Sequence, residues 1–266
     1  MKYNINFHQT FKPERAHISN LLTCESLNGT KESISHRFGI PTGKSSGKVE
    51  VNLLYAQAAG LLTLSKTSGE LVIKRSFLGD IVHNNDSFLD HEITQLIFHY
   101  KFCKNTSPLI LWNLLFSDFK SISKVFKIFK FKQFVERKLG YSNIKTSPII
   151  GTYISDFEPL IDLDLLEEQE QEYSFGRIEI ISSYSCLYAY LLYDQLLAID
   201  PNRRDFTLDE LTRIGFHLIF GWDTSDLRNL LEILETKNYI SINKQFSNFH
   251  IHILKKKDEL IENLYY

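Results

Sequence analysis

TKESISHRFGIPTGKSSGKVEVNLLYAQAAG, residues 30–60, is the stretch on which the reading of this chain turns. Its Gly43-Lys44-Ser45 string invites a nucleotide-binding label. A phosphate loop, however, needs G-x-x-x-x-G-K-[ST] after a buried strand, because its first glycine shapes a turn whose amides all point inward. Here Phe38 stands where that glycine is required, and the preceding pattern is helical. The spacing argues against ATP.

The same residues read well as two helices and a turn. Thr30 is an N-cap, Glu32 places a carboxylate in the positive first turn, and Gly39 is a helix stop. Ile34 and Phe38 lie four apart on one face. After the turn, Val49, Leu53 and Ala56 recur at helical spacing and predict a buried stripe, with Lys48, Asn52 and Tyr55 on a different face. Beyond Gly60, LLTL and ELVIKRS are short β-prone runs joined by Ser65–Gly69, which predicts a hairpin. Helix, turn, helix, hairpin is the order of a winged helix-turn-helix, with a connection longer than that of the minimal motif.

In such a unit the second helix starts at the turn. Its free N–H groups and dipole attract anions, and its first residues reach base edges. Lys48 and Asn52 are types that pair with guanine and adenine edges. The candidate DNA-binding residues are therefore Lys44, Ser45, Ser46, Lys48, Asn52 and Tyr55, with Lys66, Lys74 and Arg75 on the hairpin suited to flanking phosphates.

Outward from this block, the 266 residues, 43% hydrophobic and 13% aromatic, are enough to fill real cores. Cys24, Cys103 and Cys186 are scattered, which argues against a disulfide framework or a cysteine zinc site. MKYNINFHQTF is too polar for a signal peptide, and no apolar run is long enough to span a membrane, so a cytoplasmic protein is expected. The net charge of −2 hides a split: residues 1–150 carry 20 Lys and Arg against 11 Asp and Glu, and residues 151–266 carry 10 against 21. The basic half is suited to duplex DNA and the acidic half to protein partners; alternatively, the two halves attract each other within the fold.

Residues 86–119 read as apolar helices interrupted at Pro108. In SISKVFKIFKFKQFVERKLG, residues 121–140, six cations are interleaved with Val, Ile and Phe, which fits either a face toward phosphates or an amphipathic helix with solvated lysines. The following YSNIKTSPIIGTY is read as a second helix of another such unit. LIDLDLLEEQEQEY, residues 160–173, is an acidic tract, either a short solvated segment, which is favoured, or a partner-docking face, and CLYAYLLYDQLLAID a buried helix. The first architecture then returns: Thr207 and Glu210 form a capping box, Asp223 or Thr224 caps a helix with a stripe of Leu227, Leu230, Leu231 and Leu234, and two β runs follow. That last helix also carries Glu232 and Glu235, which repel phosphate, so it suits protein contact better. His250 and His252 lack a third ligand, the spacing of His83, His91 and His99 drifts around a helix, and no hydrolase or deaminase motif occurs. No catalytic residue, metal or cofactor is expected.

Several blocks in this order resemble the domain-of-unknown-function 4007 family of bacteria and archaea: FHQTF at 7–11, IPTGKSSGKVEVNLLYAQAAGLL at 40–62, LDHEITQLIFHYKFCKNTSPLILWNLLFSDF, SNIKTSPIIGTY and DFTLDEL. The resemblance implies gene neighbourhoods of DNA phosphorothioation or phage defence, and hence a DNA-associated accessory subunit. Gln9 stands where the family signature has Glu, so His8 is assigned no role.

The expected fold is mainly α with small β-hairpin wings, an α+β chain of tandem winged helix-turn-helix-like units. It divides into an N-terminal DNA-binding unit (1–85), a helical middle domain (86–200) and a C-terminal winged-helix-like unit (201–266). The expected function is a non-enzymatic DNA-binding subunit of a modification or anti-phage system. The alternatives are an adaptor that scaffolds a defence enzyme without touching DNA, a local transcription regulator, and a nuclease or other hydrolase.

Overall fold

The structure, a computed structural model, describes residues 4–43, 47–155, 160–243 and 249–266. One succession recurs three times along the chain: helix, strand, two helices, then a two-stranded hairpin. The first copy runs α1 (Arg15–Leu22), β1 (Ser26–Gly29), α2 (Lys31–Phe38), α3 (Lys48–Ala58), β2 (Leu62–Thr67) and β3 (Glu70–Arg75). Two linking helices follow, α4 (Phe77–Asn85) and α5 (Glu92–Cys103).

The second copy opens with α6 (Ile110–Leu114), which continues through a π-helical turn at Leu115–Phe119 into α7 (Lys120–Ile122). It goes on with β4 (Val125–Phe126), α8 (Ile128–Leu139), α9 (Ser147–Ile154), β5 (Leu166–Gln169) and β6 (Glu172–Phe175). The third comprises α10 (Ser185–Leu197), β7 (Asp205–Thr207), α11 (Leu208–Arg213), α12 (Thr224–Thr236), β8 (Ile240–Asn243) and β9 (His250–Ile253), and α13 (Lys257–Glu262) ends the chain's helices.

All three sheets are antiparallel and share one order, with the last strand in the centre: β1-β3-β2, β4-β6-β5 and β7-β9-β8. The α+β class is thus as expected. Helix α10 heads the third copy. The acidic tract 160–173 is ordered, forming β5 and the start of β6, with Leu166 buried and Glu167 to Gln169 exposed.

Local chemistry accounts for the boundaries. The Thr30 hydroxyl accepts the Ser33 amide at 3.2 Å, and Gly39 closes α2 at φ 65°. Thr207 and Glu210 form the capping box of α11, and Asp223 accepts the amides of Ser225 and Asp226. The stripes Val49–Leu53–Ala56 and Leu227–Leu230–Leu231–Leu234 are buried. In α5 every residue from Ile93 to Cys103 is buried, as in a helix with neighbours on all sides. Gly79 in α4 lies so close to the Leu61 carbonyl that a Cβ there would overlap its oxygen. Among the described residues, no helix is long and apolar enough to cross a membrane.

Candidate nucleic-acid interface

The turn before α3 was the predicted contact, and its Lys44, Ser45 and Ser46 lie outside the described residues. Lys48, the first residue of α3, is half-buried. Its Nζ lies 2.8 Å from Glu14 Oε1 and 6.0 Å from the Phe11 ring centroid. Glu14 Oε2 is also 3.2 Å from His17 Nδ1, whose pKa burial holds below its ordinary value against the pull of that carboxylate.

The sequence placed Asn52 and Tyr55 on a face different from the apolar stripe, as DNA contacts, and in the structure both are buried. Asn52 is fully buried; its Oδ1 accepts the Glu14 amide and its Nδ2 donates to the Lys48 carbonyl, both at 3.0 Å. Tyr55 is also buried, donating to the Phe11 carbonyl at 3.0 Å with its ring against Phe7 and Trp112. The reason is that residues 7–14 lie across α3, so the face opposite the apolar stripe is covered too. What α3 leaves fully exposed is Glu50, a carboxylate.

A cleft of about 360 Å³ opens between the starts of α3 and α9, lined by Lys12, Glu14, Lys48, Ser147, Pro148 and Gly151. Two positive helix ends and two lysines face it, with one carboxylate offsetting them.

On the hairpin, Lys66 and Lys74 are exposed. Lys74 pairs with Thr63, and residues 63 and 66 alternate across the strand, so the two lysines point from opposite faces. Arg75 is committed inward: its Nε meets Asp80 Oδ1 at 2.8 Å and its Nη1 donates to the Leu22 carbonyl at 2.9 Å.

An open cationic surface lies on β4 and α8. Phe131 and Val135 bury one face of α8, with the Phe131 and Phe134 rings 5.1 and 5.3 Å from Phe119. Lys124, Lys127, Lys130, Arg137 and Lys138, on and just before α8, are exposed, together with Ile122, Val125 and Phe129 at 66%, 51% and 51% exposure. Lys127 approaches Glu172 at 3.8 Å and Lys138 pairs with Asp118; Lys124, Lys130 and Lys132 form no ion pair among the described residues. Lys127 and Lys130 sit at the start of α8, where no side chain caps the helix and no acid occupies the first turn. Helix dipole and lysines therefore add there rather than cancel. The sequence signal was the recurrence of lysine at 124, 127 and 130, but periodicity alone could not say which face is solvent.

Three histidines have partners within the fold. His8 is buried against Trp112 at 5.7 Å between ring centroids, and burial lowers its pKa to about 4. His91 caps α5 through the Ile93 amide, and His252 meets Asp205 at 2.8 Å. Among the described residues, no group of three or more His, Cys, Asp or Glu side chains converges to hold a metal ion.

No protein-family model and no curated protein matches the chain. Its fold is nevertheless shared with solved structures. One, described as an SspB crystal structure, matches with a TM-score of 0.75 at 14% identity, covering 97% of this chain and 86% of that one. A magnesium ion-bound SspB crystal structure matches with a TM-score of 0.74 at 13% identity over the same shares. At this identity the likeness is one of fold: the three-unit architecture described above is an SspB-like fold.

Proposed function

We propose that this chain is a DNA-binding accessory subunit of a prokaryotic phosphorothioation or anti-phage system, acting by binding rather than by catalysis. Its three repeats are read as winged-helix units, since helix–strand–helix–helix–strand–strand with the last strand central is that motif's order. The observation that carries the DNA reading is the β4–α8 ridge, where Lys124, Lys130 and Lys132 have no ionic partner among the described residues. Unpaired lysines around an uncapped helix start are suited to duplex phosphates, which supply most non-specific affinity. The 44–48 turn is a second phosphate contact in this reading. The resemblance to a family found beside phosphorothioation genes supports the setting, and the SspB-like fold over 97% of the chain agrees with it.

A second reading, an adaptor that touches no DNA, is favoured by the exposed Ile122, Val125 and Phe129 among those lysines, an amphipathic surface that also fits an acidic protein partner. A gel shift on random duplex across a salt series separates the two. The expected result is binding that weakens steeply with salt, with Lys124→Glu plus Lys130→Glu flattening the log–log slope by about two. No binding at low salt, or an unchanged slope in that variant, favours the adaptor. Cleavage of the duplex in Mg²⁺ or Mn²⁺ would overturn the non-enzymatic part.

A further inference from the structure

Asp194, on α10, sits among three ammonium groups. Lys101 Nζ lies 2.9 Å from Oδ1, Lys104 Nζ 2.8 Å from Oδ2, and Lys257 Nζ 3.3 Å from Oδ1. The Tyr100 hydroxyl donates to Oδ2 at 3.0 Å. Lys101 and Lys104 come from the end of α5 and Lys257 from the start of α13, so the cluster is assembled from elements far apart in sequence.

One carboxylate faces three cations in a poorly solvated place. The side chains of Asp194, Lys101 and Lys104 are 7%, 10% and 15% exposed. The Tyr100 and Tyr190 rings lie 5.3–5.8 Å from the ammonium groups, and the α5 carbonyl end is near, but neither carries a full negative charge. Burial, then Lys101, presses the Lys104 pKa below its ordinary value, and Asp194 is the acid that opposes them. A buried surplus of charge is costly unless an ion completes it or a lysine gives up its proton.

The cluster opens toward solvent at Lys257, whose side chain is 36% exposed and whose neighbours Lys255 and Lys256 are exposed. An ammonium has three donors, and among the described residues each of these lysines directs one at Asp194. Donors therefore remain for oxygens arriving from the open side.

We infer that Lys101, Lys104 and Lys257, oriented by Asp194, form an oxyanion site that takes a phosphoryl group. The rigid carboxylate holds the ammonium groups together, and a tetrahedral oxyanion accepts from more than one of them at once. The group could be free phosphate or a nucleic-acid backbone phosphate; the site itself does not depend on the DNA reading.

The test compares thermal unfolding in inorganic phosphate and in chloride at matched ionic strength, near pH 7.5. The expected result is a Tm higher in phosphate by roughly 3 °C at about tenfold excess over Kd. That increment should fall by at least about half in Lys257→Gln, vanish in Lys104→Gln plus Lys257→Gln, and persist in Lys257→Arg and in Arg213→Gln on α11. Lys257, the most exposed of the three, keeps the comparison readable should the double variant not fold. Equal Tm values in phosphate and chloride, or a full increment in Lys257→Gln, would overturn the site. With the increment established, a labelled duplex identifies the source: weaker duplex binding by Lys257→Gln supports a backbone phosphate at the site, and unchanged duplex binding supports free phosphate there.

Discussion

His99 and Tyr153, 54 positions apart, are joined by a 2.9 Å hydrogen bond at the centre of the molecule. The other ring nitrogen of His99 lies 2.8 Å from the Ile219 carbonyl, which can only accept. Nε2 therefore carries the proton, and Nδ1 accepts from the Tyr153 hydroxyl. One neutral imidazole thus ties α5 to α9 of the second unit and to the turn before α12 of the third.

Removing the tyrosine hydroxyl leaves the buried Nδ1 only the weak Cys103 thiol, 3.6 Å away. Tyr153→Phe is expected to lower stability by about 1–3 kcal/mol. Urea unfolding checks this: the midpoint should drop with the slope unchanged, and an unmoved midpoint would show that the bond contributes nothing net.

Burial lowers the pKa of His99 to about 3 and of His8 to about 4, from an ordinary 6.5. Below 6.5 the unfolded chain binds protons at both positions while the folded chain does not, so stability falls with pH. Between pH 6.5 and 5 each histidine should cost about 2 kcal/mol. Denaturation midpoints at pH 7.5 and 5.0 measure the loss, which should be smaller by about 2 kcal/mol in His8→Gln. A flat profile would contradict the buried neutral state of both rings.

Asp194→Asn would leave three ammonium groups around a neutral amide. The expected loss is about 3–5 kcal/mol at neutral pH. Raising the pH to 10 should recover part of it, because a lysine can then shed its proton. A loss that does not change between pH 7 and 10 would mean that packing, not charge, is what the carboxylate supplies.

Two glycines should respond differently to a methyl group. Gly79→Ala drives a Cβ into the Leu61 carbonyl and should cost about 1–3 kcal/mol or more. Gly39→Ala meets open space and incurs only the left-handed backbone penalty, about 1 kcal/mol. Thermal melts of the two variants should rank in that order.

Much of the fold was legible wherever a local rule and a periodic stripe agreed. Thr30, Gly39 and the Val49 stripe marked α2 and α3; Thr207, Glu210 and the leucines marked α11 and α12. What escaped were β1, β4 and β7, which run for four, two and three residues. Strands that short cannot display alternation; they exist because β3, β6 and β9 each offer a free edge. The middle unit was half legible for the same reason, since β4 and the acidic hairpin carry little pattern of their own.

The site was harder. Asn52 and Tyr55 were assigned to a second face because the helix period separates them from Val49 and Leu53, but the period does not reveal that residues 7–14 return over that face. The Asp194 cluster was invisible for a stronger reason: its lysines lie 93, 90 and 63 positions away along the chain, and only the fold gathers them.

Residues 7–14 also change what it means to reach α3. They are a tethered competitor, holding Lys48, Asn52 and Tyr55 through Glu14 and the Phe11 carbonyl. A segment on so short a leash presents itself at an effective concentration on the order of millimolar, so an outside ligand for this helix face must outbid a resident that never diffuses away. Access to α3 is thus governed by residues 7–14, and Glu14→Ala would release the Lys48 ammonium while the Glu14 amide stays on Asn52 and the Phe11 carbonyl on Tyr55.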